Sequence, residues 1–232
     1  MNERKKLHKF KSKIISIEDI SKDTKHITMS VPSDFDFYPG QFVSIILNID
    51  GEELRRPYSI ASKPQPDQLE LCIKILPEGK ATPTLGKLKP GDKLSVMGPM
   101  GTFFIADKSL AKPITFISTG TGVAPFRSII THLLEHNFDK PITLVTGYRF
   151  KGNILYESAF KELEEKYPNF KYHRICSRDG ERKGYVMILI DENFNTDADY
   201  YICGLKDMVN SVTDHLKEKG IPKENIFFEK YD

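Results

Sequence analysis

Several features that would decide a protein's class at a glance are missing from this chain. No stretch approaches the roughly 18–20 consecutive apolar residues of a membrane-spanning helix, and the amino-terminal segment has no apolar signal-peptide core. Cysteine is scarce: Cys72, Cys176 and Cys203 stand far apart and form no CxxC pair. That odd, dispersed set argues against a disulfide framework, a zinc ribbon or an iron–sulfur cluster of the chain's own. Charge of one sign is missing as well. The 34 Lys and Arg nearly balance 32 Asp and Glu, for a formal net charge of +2, whereas nucleic-acid-binding domains are usually basic. Internal repeats and low-complexity segments are absent too. The expectation is a cytoplasmic monomer with no membrane span, no nucleic-acid partner and no metal.

What charge asymmetry exists is local. Residues 1–13 hold Arg4, Lys5, Lys6, Lys9, Lys11 and Lys13 against Glu3. This segment reads as a solvated tail, with a landing patch for an acidic partner as the alternative.

The 232 residues suit two domains of roughly 100–130 residues each, and the periodicity changes between the halves. Up to Phe104 short apolar runs alternate with Gly, Pro and Asp turns. Ile27, Met29 and Val31 alternate with polar residues, and Phe42–Ile49, Leu54–Ile60, Leu69–Ile75 and Lys93–Met97 read as further strands. Closely spaced strands with such turns predict a small closed or nearly closed antiparallel β-barrel. From Lys112 strands and helices alternate. Pro113–Ser118, Pro141–Gly147, Phe170–Cys176, Tyr200–Cys203 and Asn225–Glu229 read as strands. Helices are expected over Ala124 to His136, Tyr156–Tyr167 and Lys206–Lys219. This order predicts a parallel sheet covered by helices on both faces. The boundaries expected are 1–109 for the barrel and 110–232 for the α/β domain.

Five stretches carry chemistry. Arg55-Arg56-Pro57-Tyr58-Ser59 ends a predicted strand. It offers a guanidinium for phosphate, an aromatic face for stacking and a hydroxyl, as a planar polyanionic cofactor requires. Alternation puts Arg56 and Tyr58 on one face and Ser59 on the other. Gly79-Lys80-Ala81-Thr82 opens a short helix, where Thr82 is expected to cap and to bind a phosphate oxygen. Ser118-Thr119-Gly120-Thr121-Gly122-Val123-Ala124-Pro125 lies between a strand and a helix. It is neither the G-x-G-x-x-G fingerprint, since Pro125 takes the third glycine position, nor a Walker loop. It remains a tight glycine turn with proline near the first helical position, presenting N–H groups where open α/β sheets bind ligands. Near the end, Cys203-Gly204-Leu205-Lys206-Asp207-Met208 precedes Glu229-Lys230-Tyr231-Asp232, with Cys203 expected at the same rim as the Gly120–Gly122 loop. One further pattern, His132-Leu133-Leu134-Glu135-His136, matches a zinc-hydrolase helix motif but reads as an amphipathic helix.

In order and spacing, these stretches resemble the ferredoxin–NADP+ reductase family of flavoproteins, over essentially the whole chain. The resemblance implies FAD as cofactor. Arg56 would lie at its pyrophosphate, Tyr58 on its ring, and Ser59 near the reactive nitrogen, with Pro57 between them also binding the cofactor. Cys72, Ile73 and Lys74 would run beside the ring, and Gly79, Ala81 and Thr82 would hold the pyrophosphate. Thr119, Gly120, Thr121, Gly122 and Pro125 would cradle the NAD(P) pyrophosphate. Arg149, Ser177 and Arg178 would meet the adenosine end, with Arg182 and Lys183 adding charge, which favours NADP(H) over NAD(H). Cys203, Gly204 and Glu229 would lie beside the nicotinamide. Tyr231 would cover the flavin until displaced, and with Ser59, Cys203 and Glu229 it makes up the implied catalytic set. Thr82 stands where the family more often has serine, and Asp232 follows the terminal aromatic. The implied activity is hydride transfer between NAD(P)H and FAD. Electrons would then pass to a protein acceptor such as ferredoxin, flavodoxin or an oxygenase component, an acidic one fitting the basic amino terminus. A free-flavin reductase, or an electron-transfer subunit inert without a larger complex, are the alternatives.

Overall fold

The computed structural model describes residues 5–180 and 182–231. Arg4 and Glu3 of the basic segment, and Asp232, lie outside the described residues. By its contacts the chain divides into two compact units. One comprises the described residues through Phe104 together with Arg127–His132, the other Ile105–Phe126 and the residues from Leu133 onward.

The first unit is an antiparallel sheet of six strands. They are β1 (His8–Ser21), β2 (Thr24–Ser30), β3 (Phe42–Ile49), β4 (Glu52–Ser59), β5 (Gln68–Lys74) and β6 (Lys93–Met100), in the order β4-β3-β6-β1-β2-β5. A bridge between Ile60 and Leu71 joins the two edges, so the sheet curls into a nearly closed barrel. Its core is built from alternate residues such as Ile14, Ile27, Val43, Ile45, Leu71 and Val96. Such period-two burial is what places side chains on one face of a strand.

The solvated-tail reading is corrected here from His8 onward. Residues 8–13 belong to β1, which pairs with β6 from His8↔Gly98 to Lys13↔Lys93. Lys9, Lys11 and Lys13 are the exposed teeth of that strand, while Ser12 and Ile14 face inward. Lys6 is ion-paired with Asp34 at 2.7 Å, and Lys5 with Asp36.

The second unit is a parallel sheet of five strands. They are β7 (Ile114–Thr119), β8 (Ile142–Tyr148), β9 (Phe170–Cys176), β10 (Asp199–Leu205) and β11 (Ile226–Tyr231), in the order β11-β10-β7-β8-β9. The longer helices are α2 (Ala124–Glu135), α3 (Glu157–Lys166), α4 (Val186–Glu192) and α5 (Lys206–Glu218); a five-residue α1 (Thr82–Gly86) belongs to the first unit. β7 and β10 are near-continuous buried runs, as strands covered on both faces must be. The chain leaves β7 toward β8 and β9, then returns to its other side for β10 and β11. The strand order therefore reverses between β7 and β10, the switch point outside whose carboxyl ends open α/β sheets bind ligands. No helix among the described residues is long and apolar enough to cross a membrane.

A buried polar group braces the start of β10. Asp199 is fully buried and accepts a 2.6 Å hydrogen bond from Ser109 Oγ, with Lys112 Nζ at 3.3 Å from its other oxygen. Ser109 Oγ also lies 2.9 Å from the Tyr201 hydroxyl, which accepts the Ala106 N–H.

Candidate functional site

In the first unit, Arg56 and Tyr58 share the half-buried face of β4, and Ser59 at its end is buried. Pro57 sits opposite Ser44 on an edge strand, where the missing N–H does no harm to the sheet. Tyr58 packs against the barrel core, and burial pushes its phenol up to about 12, with the Arg56 charge opposing. Arg55, the exposed neighbour, is neutralised by Glu53 at 2.8 Å. The Ile60–Leu71 bridge and an Ala61 N–H to Glu70 carbonyl bond of 2.8 Å bring the end of β4 against β5. Cys72 and Ile73 on that strand are buried; Lys74 is exposed and pairs with Asp23 at 3.2 Å.

Thr82 is placed differently from the expected cap. The residue flanking α1 is Ala81, with no side-chain cap, and Thr82 is the first helical residue. Its hydroxyl donates to the Leu76 carbonyl at 2.8 Å and accepts the Leu76 N–H at 3.0 Å. The side chain closes the 76–82 loop on itself. Gly79 lies inside that closure, where a Cβ would fall 2.8 Å from the Thr82 hydroxyl.

In the second unit the glycine turn is a single 3-10 turn, Gly120–Val123, running straight into α2. The Ala124 N–H closes that turn on the Thr121 carbonyl, and Pro125 is the second residue of α2. Gly120 takes φ +54°, and nothing lies within 4 Å of where its Cβ would be, so its backbone is open to a close approach. Gly122 is the opposite case. A Cβ there would sit 2.3 Å from the Cys203 carbonyl oxygen, so the turn after β7 and the end of β10 touch through bare backbone.

Register brings Cys203 between Ser118 on β7 and Glu229 on β11. Its thiol is wholly buried. Burial pushes it well above the usual thiol range, the Glu229 charge adds to the effect, and a Tyr231 hydrogen bond opposes it. A thiol held this way is protonated and is no nucleophile. Glu229 and Tyr231 are half-buried residues of β11, Tyr231 opposite Leu205.

Arg149, Ser177 and Arg178, the residues expected at the adenosine end, come together beyond β8 and β9. The Ser177 and Arg178 N–H groups bond the Tyr148 and Arg149 carbonyls, both at 2.9 Å, extending the ladder past the strand ends. Arg149 and Arg178 are thus neighbours and both exposed. Arg182, in contrast, does not add free charge. It makes two hydrogen bonds, of 2.8 and 2.5 Å, to Glu192.

The histidine pair of the zinc-like pattern is divided: α2 ends at Glu135, before His136. No group of three or more His, Cys, Asp or Glu among the described residues could hold a metal ion. Sequence reasoning missed Glu70, Arg127 and Ser128, which meet around the loop after β4. The only sequence signal was the place of Arg127 two residues after Pro125.

Comparison with known proteins agrees with this layout. The profile of the oxidoreductase FAD-binding domain matches residues 11–105, and that of the oxidoreductase NAD-binding domain residues 116–214. A relative of similar length is ferredoxin–NADP reductase B of Sorangium cellulosum, 29% identical over 96% of this chain and 98% of its own. The toluate 1,2-dioxygenase electron transfer component of Pseudomonas putida is 28% identical over 96% of this chain and 67% of its own. Among solved structures, ferredoxin–NADP+ reductase from Plasmodium falciparum with 2′P-AMP superposes with a TM-score of 0.83 at 25% identity, covering 96% of both chains. The Amycolatopsis cytochrome P450 reductase GcoB gives 0.89 at 25% identity, over 97% of this chain and 70% of its own.

Proposed function

Since the chain belongs to the ferredoxin–NADP+ reductase family and is an FAD-dependent NAD(P)H oxidoreductase, we propose that it takes its electrons from NADPH and delivers them to a partner protein of acidic surface. We place FAD on residues 1–109 and the nucleotide on residues 110–232. FAD, when bound, supplies the redox chemistry, accepting a hydride from the nicotinamide and releasing electrons to the acceptor.

The residues present fit these groups. Arg56 and Tyr58 share a face, so one offers charge to a pyrophosphate and the other a neutral aromatic surface to a ring. Ser59 ends the same strand, and Cys72, Ile73 and Lys74 run along the neighbouring one. The Gly79–Thr82 turn, with Ala81, would hold the FAD pyrophosphate through backbone N–H groups beyond Gly79, because the Gly79 N–H and the Thr82 hydroxyl are already engaged with Leu76.

The observation that carries the nucleotide reading is the backbone contact of Gly122 with Cys203 at the switch point. We seat the pyrophosphate on N–H groups of the Thr119–Pro125 turn, where the Gly120 backbone is open, with Gly204 alongside. Cys203 contributes shape as a protonated thiol. Tyr231, hydrogen-bonded to it, would have to move aside for a nicotinamide, and Glu229 is the carboxylate opposite Cys203 in register. The choice of NADPH rests on Arg149, Ser177 and Arg178, a pair of exposed guanidinium groups and a hydroxyl suited to a 2′-phosphate. The Plasmodium enzyme was solved with a ligand of that kind.

The names of the relatives describe transfer to ferredoxin or to oxygenase systems. For this chain the row Lys9, Lys11 and Lys13 on the exposed side of β1 is the surface we assign to the acceptor. The visible spectrum of the purified protein, followed by anaerobic titration with NADPH and with NADH, tests the proposal. A flavin spectrum that bleaches at lower NADPH than NADH supports it. A colourless protein that oxidises NADPH only with added free flavin would replace it with a flavin-reductase reading.

A further inference from the structure

We infer that Arg127 is a positioning residue of the flavin site, fixing the loop that ends the Arg56–Ser59 strand; the inference rests on the FAD reading above. β4 is an edge strand. Among the described strands only β3 pairs along its length, so on its other side the placement of Tyr58 and Ser59 depends on the chain just beyond them. Ile60-Ala61-Ser62 comes next, a segment buried to within a few per cent, and its backbone groups must find partners inside the protein.

Those partners form one network. The Ile60 N–H bonds the Gln41 carbonyl at 3.0 Å, and the Ala61 N–H the Glu70 carbonyl at 2.8 Å. Arg127 Nη1 donates to the Ala61 carbonyl at 2.8 Å and Ser128 Oγ to the Ser62 carbonyl at 2.5 Å. The Ser62 hydroxyl in turn accepts the Glu70 N–H at 3.1 Å. Arg127 Nη1 also meets Glu70 Oε2 at 2.5 Å, and both side chains are mostly buried, 25% and 19% exposed.

The Glu70 carboxylate has a second neighbour, His26 Nε2 at 3.6 Å. Burial holds His26 below its usual range, with the Arg127 charge pushing the same way and Glu70 and Glu18 opposing. Arg127 Nη1, at 2.5 Å, lies closer to the Glu70 carboxylate than His26 Nε2 does at 3.6 Å. Removing one partner of a buried ion pair strands the other. Without Arg127 the Glu70 carboxylate and the Ala61 carbonyl both lose their donor, two residues from Ser59. The order of this loop is therefore coupled to the order of the strand end on which the flavin would stack.

The test compares wild type with Arg127→Gln, Arg127→Lys and Ser128→Ala. Three quantities are read: FAD affinity by fluorescence titration of flavin-stripped protein, NADPH affinity by calorimetry, and amide hydrogen exchange of the peptide covering residues 58–63. Arg127→Gln should weaken FAD by about tenfold or more, speed exchange in that peptide, and leave NADPH affinity within about twofold. Arg127→Lys should recover part of the loss, and Ser128→Ala should show a smaller effect of the same kind. Faster exchange with unchanged FAD affinity would reduce Arg127 to a structural brace. Equal losses for FAD and NADPH would point to general destabilisation and overturn the role as well. Unchanged exchange would remove the tie itself. A wild-type protein that binds no FAD overturns the FAD reading first, whereas normal wild-type binding with indifferent variants overturns this inference alone.

Discussion

Replacing Gly122 by alanine puts a single methyl group where the backbone of another strand already is. The Cβ would lie 2.3 Å from the Cys203 carbonyl oxygen, 2.7 Å from its carbonyl carbon and 3.0 Å from Gly204 Cα. None of these atoms can swing aside as a side-chain tip can, so the turn after β7 or the end of β10 must shift. A displacement of this kind costs roughly 1–3 kcal/mol, which lowers the melting temperature by about 2–4 °C for each kcal/mol in a chain of this size. The same shift displaces the turn assigned to the nucleotide pyrophosphate, so KM for NADPH should rise by about tenfold or more while bound flavin is retained. Gly152→Ala is the matched control, because nothing lies within 4 Å of a Cβ there and its φ is not in the left-handed region. Thermal melts and steady-state kinetics with an artificial acceptor read both effects. If Gly122→Ala melts and binds NADPH like Gly152→Ala, the close contact and the role assigned to it are wrong.

The same geometry makes three further outcomes testable. Arg178→Ala should lower kcat/KM for NADPH by about tenfold and leave NADH nearly untouched, whereas Arg182→Ala should change neither, since Glu192 already holds that guanidinium; parallel assays with the two nucleotides decide. The phenols of Tyr58 and Tyr172 are both pushed up to about 12 by burial. The unfolded chain therefore releases these protons first, and stability contributed by the neutral phenols falls as pH rises from about 10 through 12. In an absorbance titration of tyrosinate, Tyr58→Phe and Tyr172→Phe should each remove part of the late phase. Ser109→Ala strips Asp199 of its shortest hydrogen bond in a fully buried setting and should cost about 1–3 kcal/mol, measured by urea denaturation.

Much of the fold could be read from the chain, and the places that resisted share physical causes. β3 and β9 were expected with the ends they have, because uninterrupted apolar or alternating runs are bounded there by turn residues. β1 escaped notice since lysine occupies every second position from Lys9 to Lys13; the outward half of an alternating strand looked like a charged tail. α4 was missed because Val-Met-Ile-Leu-Ile is apolar without a helical period, which leaves helix and strand indistinguishable. At the site, the Gly120–Pro125 turn follows from local order, whereas Arg149 and Arg178 stand out only through the family resemblance; that they are neighbours depends on the ladder that continues past β8 and β9. Thr82 was expected to face a ligand, but a hydroxyl six residues from Leu76 found backbone partners in its own loop. Glu70 and Arg127 are separated by 57 positions, and no local pattern announces such a pair.

The discontinuous make-up of the first unit bears on how such proteins can be recombined. The FAD-domain profile ends at residue 105, which invites a crossover between Phe104 and the first parallel strand. A barrel cut there leaves behind Arg127–His132, the piece of α2 that belongs with it. A chimera joining this barrel to a foreign nucleotide domain would inherit Glu70 without its arginine unless the donor supplies Arg and Ser at the matching helical positions. Compatible grafts should therefore be chosen by those two helix residues as well as by the linker. A truncation that stops at residue 105 would be expected to yield a barrel with a loosened Ile60–Ser62 segment even if every strand forms.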